Sequence, residues 1–204
     1  MSPPEPVRLF GSYTSPFVRR IRIVCLELGV PFSMVDTMTP EGQADLRQRS
    51  PIWKVPAAEI NGQLVLDSHV ISDVLLARYG GQGPLASLAL DDIEGRNAVS
   101  VIDGALDALI NVFYLAKDGV TPEQVPYLEK QRARAASALS WLDARVHEPF
   151  VTSKQALGLP EVALGTALGW MRFRNAYPIG THPRLMRCLE ALEARPSFLS
   201  TAPG

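Results

Sequence analysis

Only two cysteines occur in the 204 residues, Cys25 and Cys188. That excludes a disulfide framework and fits a reducing compartment. The three histidines, His69, His147 and His182, are scattered without ligand spacing, so no metal site is expected. Neither sign of charge dominates: 20 Lys and Arg face 21 Asp and Glu, for a formal net charge of −1. No overall pull toward nucleic acid or an anionic membrane is therefore expected. No window approaches about 18 uninterrupted apolar residues, so no membrane-spanning helix is expected. The opening Met1-Ser2-Pro3-Pro4-Glu5-Pro6 lacks the basic start and apolar run of a signal peptide, and the expected address is the cytoplasm. Repeats and low-complexity tracts are absent. What remains is an ordinary globular composition, 47% hydrophobic, with enough apolar residues for a sizeable core.

The order of patterns is informative. Val7–Gly11 reads as a strand, and Ser12-Tyr13-Thr14-Ser15 as a polar loop. Pro16 suits a first helical turn. Val18, Ile21, Val24, Cys25 and Leu28 then recur at helical spacing until Gly29. Pro31–Val35 reads as a second strand, which makes a strand-helix-strand unit with parallel strands. A short polar helix over 43–49 follows. Strands at 55–60 and 63–66 are joined by Asn61-Gly62, a hairpin signal. Ser68 reads as the cap of a helix bearing Val70, Ile71, Val74, Leu75 and Tyr79. Gly80-Gly81-Gln82-Gly83-Pro84 breaks the pattern. Beyond it no strand is evident. Helices are expected over 91–117, 123–146, 160–176 and 182–194, the third Ala- and Gly-rich and central. The expected organisation is a thioredoxin-like α/β domain over 1–80, a linker at about 81–87, and an all-α bundle over 88–204.

Three motifs carry a family resemblance. They are Ser12-Tyr13-Thr14-Ser15-Pro16-Phe17-Val18-Arg19-Arg20, then Ser50-Pro51-Ile52-Trp53-Lys54-Val55-Pro56, then Leu66-Asp67-Ser68 opening a helix. In this order they resemble the serine-type glutathione S-transferases, as in the plant tau class and related bacterial forms. The resemblance implies glutathione as a co-substrate, no permanently bound cofactor, and a homodimer. It implies that Ser15, at a helix N-terminus, donates its hydroxyl to the glutathione sulfur and favours the thiolate. A helix N-terminus favours an anion, and a free thiol with a pKa of roughly 8.5 is mostly protonated at neutral pH. Taken by itself, Ser15 is an ordinary N-cap, and Ser12 and Tyr13 are rival hydroxyls in the same loop. The resemblance further implies a cis Val55-Pro56 bond that turns the Val55 backbone toward the cysteinyl residue. Phe17 and Lys54 join the same glutathione site, Lys54 toward the glycyl carboxylate. Asp67 and Ser68 face the γ-glutamyl amino and carboxylate groups.

The sequence also departs from the pattern. Trp53 stands where the family commonly has glycine, either covering the glutathione site or packing on another subunit. Gly158 and Glu161 replace a Ser-x-x-Asp capping box, which weakens the reciprocal side-chain bond. Cys25 and Cys188 lie on apolar helical faces and read as small core residues, and no cysteine occupies the strand-helix loop, which argues against cysteine-type relatives. Tyr13, Phe113, Tyr114 and Trp170 are the aromatics available to an apolar second substrate. The expected activity is conjugation of glutathione to an electrophile, within the broader role of detoxification. A glutathione-dependent isomerase, dehalogenase or peroxidase would use the same thiolate. A non-enzymatic family member that binds another protein is the remaining alternative.

Overall fold

The computed structural model describes residues 6–80, 84–86 and 88–204. Residues 1–5 and most of the expected 81–87 linker lie outside the described residues. The chain divides into two compact units, one of Met1–Ser87 with Arg195–Gly204 and one of Leu88–Ala194.

The first unit is a four-stranded sheet in the order β2-β1-β3-β4, flanked by helices. Its elements are β1 (Val7–Gly11), α1 (Pro16–Glu27), β2 (Phe32–Asp36), α2 (Pro40–Arg49), β3 (Ala57–Ile60), β4 (Gln63–Leu66) and α3 (Ser68–Tyr79). β1 and β2 are parallel, which requires the α1 crossover between them. β1 and β3 are antiparallel, as are β3 and β4. The β3–β4 turn places Asn61 at φ 51° and Gly62 at φ 73°, the two positive angles of a type I′ hairpin. β1 is central, and Val7, Leu9 and Phe10 are fully buried, as a strand covered on both faces demands. Where β1 ends, its backbone closes on α1. A Cβ on Gly11 would sit 2.2 Å from a Val18 methyl. α2 begins at Pro40, earlier than the expected 43, because Thr39 caps it by accepting from Gly42 N at 3.1 Å.

The C-terminal residues belong to this first unit, which departs from the expected 88–204 grouping. A short helix, α8 (Pro196–Leu199), and the residues after it lie on α1. The reason is charge. α1 buries Arg19 and Arg22, whose guanidinium groups need acceptors. Arg19 donates to the Phe198 carbonyl at 3.0 Å and to the Thr201 hydroxyl at 3.3 Å. At the other end of α1, Arg195 grips the Glu27 carboxylate with two bonds, 3.1 and 2.9 Å. Burial alone would raise the Glu27 pKa, but these bonds and one from Ser197 hold it below its ordinary value.

The second unit is helical: α4 (Ile93–Lys117), α5 (Pro126–Asp143), α6 (Leu159–Phe173) and α7 (Pro183–Glu193), with a 3₁₀ turn at Ile179–Thr181. α4 packs on α5 and α6, burying Ile102, Leu106 and Leu109. α4 is long and apolar enough to cross a bilayer by length and composition alone, a test that the core helix of a soluble protein also passes. Asp103 and Asp107 interrupt it, so it escapes a search for unbroken apolar runs. α6 is buried from Leu159 to Met171, the central position expected of its small residues. Half of a capping box survives there. Glu161 accepts from Gly158 N at 2.8 Å and, with its other oxygen, from Val151 N at 3.0 Å. The N-terminus of α7 is held by Asp143, which accepts from Arg184 N and Leu185 N, each at 3.0 Å.

Candidate functional site

Strand register gathers the three motifs at one end of the first unit's sheet. Phe10 pairs with Ala57, and Ala57 with Leu66. Continuing both ladders by one residue sets Pro56 between Gly11 and Asp67. α1 and α3 both begin here, so two helix N-termini share this end.

Ser15 is the N-cap of α1. Its Oγ accepts from Val18 N at 3.4 Å, a long bond that engages the oxygen weakly. No acceptor for its hydroxyl proton is found among the described residues. Tyr13, in the same loop, is 48% exposed, and the Arg22 guanidinium lies 5.0 Å from its ring centroid. Phe17 is half-buried, and Arg20 stacks at 5.4 Å from its ring.

The Val55–Pro56 bond is cis, as the motif implies. Val55 packs on a small core of Phe10, Leu46 and Ala57. Its backbone N–H and C=O have no hydrogen-bond partner among the described residues, which leaves an open strand edge. Lys54 is exposed and, among the described residues, makes no ion pair. Trp53, at φ 52°, is 60% exposed, with the Arg47 guanidinium 5.3 Å from its ring.

The third motif differs from its reading. Asp67, not Ser68, caps α3: its Oδ1 accepts from His69 N at 2.8 Å and Val70 N at 3.1 Å. Asp67 pays in backbone geometry, with φ 61° and ψ 163°, a region that is nearly glycine-only. Ser68 is instead the first helical residue and is 4% exposed. Its hydroxyl accepts from Arg20 Nη1 at 3.4 Å, and its carbonyl from the Ser72 hydroxyl at 2.7 Å. Sequence reasoning missed Arg20. The available signal is its setting, since Arg19, Arg20 and Arg22 all fall within a helix that is otherwise mostly apolar.

The four aromatics proposed for a second substrate divide between the units. Tyr13 lies in the first. In the second, Phe113 meets Tyr114 and Trp170 edge-on, at centroid distances of 5.4 and 5.5 Å. Trp170 is 4% exposed and belongs to the core of its unit, whereas Tyr114 is exposed. Both cysteines are buried; burial pushes the Cys25 thiol up to about 12 and the Cys188 thiol up to about 11. They are unreactive at neutral pH.

An open strand edge, two helix N-termini and an uncommitted hydroxyl suit an extended peptide that carries anionic groups. Residues 9–83 match the family model described as glutathione S-transferase, N-terminal domain. The chain is 27% identical over 201 residues to the uncharacterized GST-like protein YibF of Escherichia coli, covering 97% of this chain and 98% of that one. Residues 9–83 therefore carry a glutathione S-transferase N-terminal domain, and the chain as a whole is similar to proteins of that family. The same fold extends over the full length of solved family members. A glutathione S-transferase of Methylobacillus flagellatus with glutathione bound has a TM-score of 0.83 at 26% identity, over 97% of this chain and 100% of that one. A family member from Pseudomonas fluorescens with bound glutathione matches with a TM-score of 0.83 at 26% identity, over 97% and 99% of the two chains. One match to a plant enzyme is more local. Glutathione S-transferase U6 of Arabidopsis thaliana is 35% identical over 72 residues, 35% of this chain and 32% of that one.

Proposed function

We propose that this protein binds glutathione at the described end of the sheet and transfers its thiolate to an electrophilic, apolar acceptor. The observation that carries the reading is Ser15, at the N-terminus of α1, whose hydroxyl proton has no acceptor among the described residues. Glutathione in the solved relatives supports the choice of peptide. In this reading the sulfur loses its proton to solvent, and the Ser15 O–H and the helix end stabilise the anion. A carbon–sulfur bond then forms at the acceptor as its leaving group departs with the bonding electrons.

The other roles follow from position. Val55 N–H and C=O pair with the cysteinyl backbone, as an added strand would. The N-terminus of α3 at Ser68 takes the γ-glutamyl carboxylate, and Asp67 takes the amino group. Lys54 faces the glycyl carboxylate, and Phe17 flanks the peptide. Tyr13, Phe113 and Tyr114 remain the residues proposed for the acceptor. Resemblance to the glutathione S-transferases is the support for a homodimer, a cytoplasmic address and a role in detoxification. Isomerase, dehalogenase and peroxidase acceptors use the same thiolate, and a substrate panel distinguishes them.

The test is calorimetric titration with glutathione, combined with ultraviolet absorbance of the bound thiolate across pH. The wild type is expected to bind in the micromolar-to-millimolar range and to lower the thiol pKa. Ser15→Ala should raise the bound thiol pKa by about 1–2 units with little change in affinity, the order expected for losing one hydrogen bond to a charged group. Ser68→Ala should weaken binding. A wild-type protein that binds no glutathione ends this reading.

A further inference from the structure

We propose that the helical unit contains a second ligand site, for a small aromatic carboxylate, built only from residues of that unit. A cavity of about 290 Å³ opens among the first turns of α4, the end of α5 and the loop that follows it. This volume lies near the lower end of the range for small-molecule sites and suits a ligand with one ring. Its floor is apolar: Ala98, Leu142, Val146 and Val151 line it and are buried.

The rim carries charge in an unequal state. Glu94 is engaged: it accepts from Ser153 N at 3.0 Å and from the Ser153 hydroxyl, and His147 Nε2 stands 3.6 Å from its carboxylate. Arg145 is different. Its guanidinium lies 4.4 Å from the Trp141 ring centroid, and its Nη1 donates to the Trp141 carbonyl at 3.2 Å. Among the described residues it has no carboxylate partner. The stack on Trp141 restrains a long cationic side chain beside an apolar cavity and leaves most of its N–H groups unused. A ligand that complements this arrangement has an apolar ring for the floor and one carboxylate for the guanidinium, in the two-bond geometry that arginine favours. A neutral ligand leaves the cation unmatched. A dianion also meets the carboxylate of Glu94, which lines the same cavity.

The test uses 3-phenylpropionate and its neutral amide as probes on the full-length protein, with calorimetry and nitrogen-15 spectra of the tryptophan indoles. The acid should bind and shift the Trp141 indole signal. The amide should bind about tenfold or more weakly, the order expected when a charge-assisted pair is lost. Arg145→Gln should reduce the acid to the level of the amide and leave the amide unchanged. Ala98→Leu, which fills the floor, should abolish binding of both while thermal unfolding confirms a folded protein. The proposal is overturned if the wild type binds neither probe. Equal binding of acid and amide overturns it too, as does an unchanged preference in Arg145→Gln or a signal shift that spares Trp141. None of these outcomes bears on glutathione binding, which is measured separately.

Discussion

Asp67 performs two tasks that substitution can separate. It caps α3 through two backbone N–H groups, at 2.8 and 3.1 Å, while holding φ 61° and ψ 163°. Replacing it with alanine removes the cap and keeps the backbone cost, because alanine is as crowded there as aspartate. The expected loss is about 1 kcal/mol, within the usual range of about 0.5–2 for cap removal. Replacing it with glycine removes the same side chain but relieves the backbone, worth about 1–3 kcal/mol at such angles. Two effects oppose that gain. Glycine is a slightly poorer cap, by a few tenths of a kcal/mol, and its freer unfolded chain costs roughly 0.4–1 kcal/mol. The balance is neutral to about 1–2 kcal/mol stabilising. Asp67→Gly should therefore melt no lower than the wild type, and Asp67→Ala about 2–4 °C lower. Asp67→Asn keeps the acceptor and loses only the charge at the helix end, about 0.3–1 kcal/mol. All three should bind glutathione more weakly if Asp67 faces its amino group, so the glycine variant would be at least as stable yet poorer at binding. Thermal unfolding and calorimetry on the same preparations decide the matter. Equal destabilisation by alanine and glycine would refute the strain argument. Unchanged binding in all three would refute the assignment of Asp67 to the ligand.

Three further outcomes follow from the packing. Arg187 and then Arg184 hold Glu148 down to about 2 from an ordinary 4.5. A depressed acid stabilises the fold above its unfolded pKa and loses that contribution as pH falls through its folded pKa. Wild-type stability should thus fall between about pH 4.5 and pH 2, and Glu148→Gln should flatten that part of the unfolding curve. Glu161→Ala should cost about 2–5 kcal/mol in chemical unfolding, since it strands the buried Gly158 and Val151 N–H groups at about 1–3 kcal/mol each. A loss under 1 kcal/mol would mean that water or another acceptor replaces the carboxylate (roughly the net worth of one hydrogen bond). Gly11→Ala should destabilise by about 1–3 kcal/mol, because its Cβ would meet Val18 at 2.2 Å. Adding Val18→Ala should recover part of that loss, and strict additivity of the two changes would refute the contact.

The thioredoxin-like outline was legible because its signals are local. Alternating and helical periodicities, Asn61-Gly62 and the proline starts need only a few neighbouring residues to act. The boundaries moved where a cap or a proline sets the first turn. Thr39 draws α2 back to Pro40, and Pro126 delays α5 beyond the expected 123. The three motifs likewise announced which residues stand at one end of the sheet, but not what each would do there.

That division has a physical basis. The sequence by itself determined the order of strands and helices, the hairpin, the core stripes and the positions of Ser15, Val55-Pro56 and Asp67-Ser68, because backbone preference and apolar spacing act within a turn or two. Only the tertiary structure decided that Asp67 rather than Ser68 caps α3, that Arg20 reaches the buried Ser68 hydroxyl, and that residues 195–204 join the first unit. It also paired Glu94 with Ser153 and left Arg145 on Trp141 beside a cavity. Each of these depends on where a distant acceptor or ring lies, and a buried charge takes its partner from the fold, whatever the distance along the chain.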